Sequence, residues 1–317
     1  MEKAYAVGVD IGGQTTKIGI VDRTGGIIAQ TVISSKYGAD EGETFLQSIC
    51  NTIRELAKDI GMESIHGIGI GAPNGNYYSG CIEHAVNLQF AKNEPFPVKD
   101  FIEKELGVPV TLTNDANAAA VGEMTYGNAK GMKNFIMITL GTGVGSGIIV
   151  NGKLVYGHDG FAGELGHTKV VRRNGRRCGC GKDGCLEAYC SAIGMAKTSR
   201  EWLETGKYPE SPLNDVDEIS SKHIYEAAVN GDRLALEVFQ YTGTLLGEAC
   251  ANFIAFSAPE AIVVFGGLAR SGEYLFGPMR TAMNENVLPV WKDKVAIVPS
   301  AHKESDAAIL GASALAW

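Results

Sequence analysis

The chain has 317 residues, 45% of them hydrophobic, and 28 Lys and Arg against 36 Asp and Glu give a formal net charge of −8. That apolar content supports a sizeable core, and the length supports two domains. The acidic balance argues against nucleic acid or an anionic membrane as partner, and no run approaches the ~18 apolar residues of a membrane helix.

The opening residues hold no long apolar stretch followed by a small-residue cleavage site, so no secretory signal is expected. Segments 4–9, 17–22 and 26–33 are rich in β-formers. They are separated by Gly12-Gly13 and by Arg23-Thr24-Gly25-Gly26, which predicts a β-meander. Residues 41–61 carry Phe45, Ile49, Ile53, Leu56 and Ile60 at helical spacing and end on glycine. A strand at 66–70, a helix at 101–106 and a strand at 108–112 follow. The next helix, 114–126, is capped by Asn114 or Asp115. Then the plan restarts with a strand at 135–140, a glycine turn at 141–145, and strands at 146–150 and 153–156. A Gly/Cys/basic insertion fills 160–186. Helices are expected at 187–203, 224–230 and 232–256, and a buried strand at 261–265 leads into Gly266-Gly267. A helix at 278–287, a strand at 295–298 and a helix at 305–315 close the chain.

Glycine is the compositional anomaly, 41 of 317 residues, against a usual share of about 7%. Much of the excess sits in turns that echo each other. Val9-Asp10-Ile11-Gly12-Gly13 and Ile138-Thr139-Leu140-Gly141-Thr142 each run from strand into glycine turn into strand. We read an internal duplication into two α/β halves whose glycine turns face each other across a cleft, the usual place for a small ligand. In the first turn, Asp10 can hold Mg²⁺ through water. The backbone of Gly12, Gly13, Gln14 and Thr15 and the side chain of Lys17 can meet phosphate oxygens. An ordinary hairpin also uses Asp as a turn former; the echo at Gly141, Thr142, Gly143, Val144 and Gly145 favours a pair of phosphate loops. Gly266-Gly267 is either a contact for the ribose or base or a plain strand-to-helix turn. Neither a Walker A sequence nor a dinucleotide fingerprint occurs.

His167, Cys178, Cys180 and Cys185 form H-x10-C-x-C-x4-C. Imidazole and thiolates in that number close a tetrahedral zinc site with no open position, hence a structural one. Of the seven cysteines, three crowd into this cluster, Cys190 follows, and Cys50, Cys81 and Cys250 are scattered, a distribution that points to a reducing compartment rather than a disulfide framework. Cys190 competes as a ligand by spacing but falls on a predicted helix. Asp115, after a strand, can accept a proton from a hydroxyl that Asn114 orients; a helix cap is the plainer reading of the pair. Glu164 and Glu187 bracket the cysteine cluster and with His167 could face a polyhydroxylated ligand.

Together these residues resemble the ROK family of bacterial sugar kinases and repressors, within the actin/hexokinase/Hsp70 superfamily. The carrying motifs are Asp10-Ile-Gly-Gly…Lys17, Gly69-Ile-Gly-Ala-Pro73, Asn114-Asp-Ala-Asn117, Leu140-Gly-Thr-Gly-Val-Gly-Ser-Gly147, Gly163-Glu-Leu-Gly-His167 and Cys178-Gly-Cys-Gly-Lys-Asp-Gly-Cys-Leu-Glu187, extended by Val264-Phe-Gly-Gly267. The resemblance implies two duplicated α/β domains of the actin-like ATPase (ribonuclease H-like) type around a central cleft. They would span 1–126 and 127–317, with the C-terminal helix able to pack back on the first. It implies transfer of the γ-phosphate of ATP to the 6-hydroxyl of a hexose. Glucose is the commonest substrate in the family; N-acetylmannosamine, N-acetylglucosamine, fructose, mannose and allose are the alternatives. By the family pattern Asp115 is the base, and Asn114, Glu164, His167, Glu187 and Asn87 hold the sugar. The turns at Asp10–Lys17 and 141–145 hold phosphates, and Gly266 and Gly267 meet adenosine. His167 would serve twice, one ring nitrogen on zinc and the other on a sugar hydroxyl. ATP, Mg²⁺ and structural Zn²⁺ are the implied cofactors, a cytoplasmic homodimer the implied form. A repressor of the family would need an N-terminal DNA-binding domain, for which a first strand at Ala4 leaves no room. Three departures stand out: Gln14 for the usual Thr, Asn74 for the usual Gly, and Val86 for the usual Pro. The last two border the expected sugar pocket.

Overall fold

A computed structural model describes residues 3–317; Met1 and Glu2 lie outside the described residues. The predicted meander is β1 (Tyr5–Ile11), β2 (Thr15–Asp22) and β3 (Ile27–Ser34), paired antiparallel. After α1 (Gly42–Leu56), β4 (Ile65–Gly71) joins β1 in parallel. A two-stranded ribbon, β5 (Cys81–Ile82) and β6 (Phe96–Pro97), and α2 (Lys99–Leu106) precede β7 (Val110–Thr113), which extends the sheet beside β4. The order is β3-β2-β1-β4-β7. Beyond α3 (Asp115–Tyr126) the second sheet repeats it. β8 (Phe135–Leu140), β9 (Val144–Val150) and β10 (Lys153–Leu154) form the meander. Four helices follow, α4 (Glu187–Cys190), α5 (Ala192–Leu203), α6 (Ser221–Val229) and α7 (Arg233–Ser257). Then come β11 (Ala261–Phe265), α8 (Glu273–Asn286), β12 (Ala296–Pro299) and α9 (Glu304–Ala314). The order β10-β9-β8-β11-β12 matches the first sheet strand for strand.

Burial follows position in the sheet. β4 and β11, parallel and central, are buried on both faces, β4 save for half-buried His66 and β11 save for half-buried Phe265, whereas edge strand β3 alternates half-buried and exposed residues. Each sheet has its own core. Val7, Ile18, Phe45, Ile49 and Ile68 belong to the first, and Ile136, Phe239, Leu246, Ile262 and Met279 to the second. Each such side chain contributes about 1.5–3 kcal/mol.

The last helix returns to the first sheet. Gly8 and Gly69 lack the Cβ atoms that would collide with the Ile309 and Ala312 carbonyls, so α9 lies directly on β1 and β4. Helix α3 is wedged between α9, at Gly122 against Gly311, and β9, at Gly147 against Ala116 and Ala120. Small residues all round that helix are what such two-sided contact requires. No helix among the described residues is long and apolar enough to cross a membrane.

Strand β9 begins at Val144, so Val144 and Gly145 of the expected glycine turn are its first residues, and three other boundaries differ more widely from expectation. The helix expected at 187–203 is two, because Ser191 leaves helical geometry and its side chain accepts the Gly194 N–H at 3.0 Å, capping α5. Pro278 lies inside α8 and does not begin it. The helix expected to reach Gly61 ends at Leu56.

Candidate active site

The facing ends of the two sheets bound one cavity of about 790 Å³. Of the residues singled out from sequence, Asp10, Lys17, Asn87, Asn114, Asp115, Gly141, Thr142, Gly143, Val144, Gly145, Glu164, His167, Glu187, Gly266 and Gly267 line it. Gly12, Gly13, Gln14 and Thr15 do not. Their turn is partly exposed and stands beyond the cavity lining, with Gly13 backed by Asn87. Within the turns some amides are already committed: Gly12 N–H to the Thr15 carbonyl, Gly141 N–H to the Gly143 carbonyl (both 3.0 Å), and Val144 N–H to Glu187.

The cap question is settled by geometry. Asn114 is the N-cap of α3, its side-chain oxygen accepting the Asn117 N–H at 2.7 Å. Asp115, the first helical residue, opens onto the cavity while its Oδ1 accepts the Ala116 N–H at 2.8 Å. The surrounding protein desolvates this carboxylate and raises its pKa. Asp10 and Asp115 flank Gly71: a Cβ there would lie 3.6 Å from Asp115 Cα and 4.0 Å from Asp10 Oδ1. Asp10 faces Lys17 across the hairpin. Its carboxyl is pushed from an ordinary 3.8 to about 6, first by burial, then by the charge of Asp115, against the pull of Lys17.

A carboxylate whose folded pKa is raised binds protons more tightly folded than unfolded. Its destabilising effect is absent below about pH 4, grows as pH rises to 6, and is complete above. Asp10→Asn should therefore stabilise the fold by about 1–3 kcal/mol at pH 8 and by nothing at pH 4. Thermal unfolding at pH 4, 6 and 8 checks this; an equal shift at all three pH values would contradict it.

Glu164 is held by a residue that sequence reading missed. The Ser146 hydroxyl donates to the Gly163 carbonyl and accepts the Leu165 N–H at 3.1 Å, clasping Glu164 between them. The following turn lies flat on β9, since any Cβ at Gly166 would strike the Val144 carbonyl. Burial raises the Glu164 pKa, His167 opposes it, and Asp115 and Glu187 add to the rise. Glu187, at the start of α4, accepts the Val144 N–H at 3.0 Å and reaches Cys178 Sγ at 3.5 Å. It thereby joins the second glycine turn to the cysteine loop. Asn74 lines the cavity as expected and Val86 does not; Pro73, Ala116, Ala119, Thr139, Leu140, Phe265, Ala307 and Ala308 complete the wall. A second cavity of about 480 Å³ opens past Thr142, between Ala192, Ala196, Arg200 and the 217–221 segment.

The His167, Cys178, Cys180 and Cys185 donor atoms lie within 4.8 Å of one another. Cys178 Sγ is 3.8 Å from His167 Nδ1, and Cys180 Sγ is 3.7 Å from Cys185 Sγ. A tetrahedron with bonds of about 2.3 Å has edges of about 3.8 Å, so the four donors fit zinc. His167 turns its other nitrogen, Nε2, toward Glu164 at 3.9 Å. Cys190 points away, its Sγ 3.6 Å from the Thr242 carbonyl in the core, and is no ligand. Arg176 fastens the loop to the helices behind it. It donates to the Ala188 carbonyl at 2.6 Å, to the Gly194 carbonyl at 3.1 Å and to Glu201 at 2.7 Å, and lies over the Tyr189 ring.

Two α/β units with one strand order, glycine hairpins opposed across a cleft and a helix crossing between them define an actin-like ATPase fold. Residues 6–317 match the ROK family model, and the chain belongs to that family. The glucokinase of Halalkalibacterium halodurans is 37% identical over 91% of this chain and 88% of its own length. The structure of a ROK family glucokinase from Streptomyces griseus in complex with glucose and AMPPNP covers 98% of both chains at 32% identity, with a TM-score of 0.78. A ROK family transcriptional regulator, a homologue of the E. coli MLC protein, superposes with a TM-score of 0.86 at 27% identity, over 98% of this chain and 77% of that one.

Proposed function

We propose that this protein transfers the γ-phosphate of ATP to the 6-hydroxyl of a hexose, with glucose the substrate. The observation that carries the reading is Asp115: a carboxylate freed from capping by its neighbour, opening onto a cavity between a glycine turn and a cluster of hydrogen-bonding side chains. Asn87, Asn114, Glu164, His167 and Glu187 bind the sugar hydroxyls. Asp10 would hold the magnesium ion, Lys17 and the residues at 12–15 and 141–145 receive the phosphates, and Gly266 and Gly267 flank the adenosine. Magnesium, when bound, supplies charge neutralisation for the transferring phosphoryl group. Asp115 accepts the hydroxyl proton as the O–P bond forms.

The curated glucokinase relative and the S. griseus complex with glucose and AMPPNP support the sugar and the nucleotide. Zinc at His167, Cys178, Cys180 and Cys185 fixes the loop that presents Glu187 and takes no part in the chemistry, since four protein ligands leave no open position. We place the protein in the reducing cytoplasm, as a homodimer whose mass light scattering would report. ADP release coupled to an indicator, measured across a panel of hexoses, tests the reading. No turnover with any hexose, together with tight sugar binding, would favour the repressor side of the family instead.

The proposed sugar ligands come from both halves, Asn87, Asn114 and Asp115 from the first and Glu164, His167 and Glu187 from the second. Ligands on two walls favour a closed cleft, and closure excludes water that would hydrolyse ATP. Saturating glucose should therefore reduce the radius of gyration in small-angle scattering. Identical profiles with and without sugar would count against closure.

A further inference from the structure

We propose that Asn74 is a positioning residue that sets sugar affinity by fastening the 83–87 turn, and through it Asn87, against the cavity. The proposal rests on the sugar-kinase reading above. Asn74 follows Pro73 beyond the end of β4, and both residues line the cavity. Its φ of 51° is in the left-handed region, which asparagine enters more readily than most side-chain-bearing residues. From there Nδ2 donates to the Glu83 carbonyl at 2.9 Å and to the His84 carbonyl at 3.3 Å. The Asn74 carbonyl in turn accepts the Glu83 N–H at 3.1 Å. His84 is itself left-handed, at φ 53°. One asparagine thus engages both carbonyls of a turn held in a sparsely populated conformation.

Downstream, the turn is anchored by burial. Ala85 and Leu88 are sunk in the first core, and Leu88 N–H donates to the Ala85 carbonyl at 3.0 Å. Val86 between them is exposed and adds no anchor. Asn87 therefore sits on a short arch between buried Ile82 and buried Leu88, and Asn74 fastens the upstream limb of that arch at residues 83 and 84. It also touches the phosphate turn: a Cβ at Gly13 would lie 3.0 Å from Asn87 Cβ and 3.1 Å from its Nδ2. A shift of the arch moves a proposed sugar ligand and the wall of the first glycine turn together. The residue that departs from the family pattern at position 74 is thus the one whose side chain makes this fastening.

Asn74→Gly keeps the left-handed backbone and removes the two side-chain hydrogen bonds. It should raise the KM for glucose about 5–20-fold, with kcat and the KM for ATP within about twofold of wild type. Asn74→Asp, which cannot donate to either carbonyl, should do at least as much. Because Asn74 acts through Asn87, combining Asn74→Gly with Asn87→Ala should cost no more than Asn87→Ala alone. Unchanged glucose KM in both Asn74 variants, or additive effects in the double variant, would overturn the proposal. Hydrogen exchange decides the matter independently of activity: amides 83–88 should exchange faster in Asn74→Gly, and unchanged protection would also overturn it. Failure of the wild type to phosphorylate any hexose would instead defeat the kinase reading, leaving the exchange result to decide the role of Asn74.

Discussion

Asp115→Asn should lower kcat by at least about 10²–10⁴-fold, the usual worth of general base assistance, or roughly 3–5 kcal/mol in the barrier. Shape and hydrogen bonding survive the change; the ability to accept a proton does not. The structure removes the main competing account, since α3 is capped by Asn114 through the Asn117 amide and keeps that cap in the variant. Folding should not suffer either. Asp115 is desolvated and its charge raises the pKa of Asp10, so neutralising it relieves an unfavourable arrangement. The expected pattern is a protein that melts no lower than wild type at pH 8, binds glucose within a fewfold of wild type, and hardly turns over. Asn114→Ala should do the reverse, weakening sugar binding and loosening the start of α3 by about 1 kcal/mol with a smaller effect on kcat. Steady-state kinetics with calorimetric binding on the two variants separate the roles. Near-normal turnover in Asp115→Asn would end its assignment as base.

What the sequence made legible was local. Both hairpins announced themselves because β-rich segments met glycine turns, and β8 and β11 fall where the apolar runs place them, at Phe135–Leu140 and Ala261–Phe265. The metal-type cluster was legible because three cysteines and a histidine within nineteen residues have few other uses. Contacts made at long range were not. Ala307 and Ala308 reach the cavity only because α9 crosses back to the first sheet, and an alanine carries no chemical signature of that return. Helix α3 has no apolar stripe, since it is wedged between α9 and β9, so its periodicity says nothing about which face meets what. The Ser146 clasp on Glu164 joins residues 17 and 19 apart through a single hydroxyl, and serine is too common in strands for that to be read. Residues 74–98 gave no element from pattern alone; their ribbon and turns are held by hydrogen bonds such as those of Asn74.

Removing the metal should cost sugar affinity before it costs the fold. The loop from 168 to 186 is held by backbone hydrogen bonds within itself, among them Cys178 N–H to the Lys182 carbonyl at 2.8 Å, Gly184 N–H to the Arg176 carbonyl at 2.9 Å and Leu186 N–H to the Thr168 carbonyl at 2.9 Å, but no covalent link or regular element crosses it. Val170 and Val171 N–H groups share the Gly184 carbonyl at 2.9 and 3.1 Å, Arg177 and Asp183 pair near the tip, and Arg176 ties its base to α4 and α5. Among the candidate ligands, Cys180 is exposed while Cys178 and Cys185 are buried. Burial pushes the Cys178 thiol up to about 12, so thiolate forms there only with a cation to neutralise it. Protein as purified should contain about one zinc per chain by elemental analysis. Stripping it with a strong chelator, or making Cys178→Ala, should expose the remaining loop thiols to a thiol reagent and raise the KM for glucose by about 10–100-fold. The link is geometric, because His167 presents one ring nitrogen to the cluster and the other toward Glu164, and Glu187 lies 3.5 Å from Cys178. The second core takes Leu186, and the flanking Val170 and Val171, from the loop but is built mainly on α7, α8 and β11, and should keep its helical circular dichroism. Zinc added back after chelation should restore glucose affinity in the wild type and fail to do so in Cys178→Ala. Fully active protein free of metal, with its loop thiols still protected, would refute the tether.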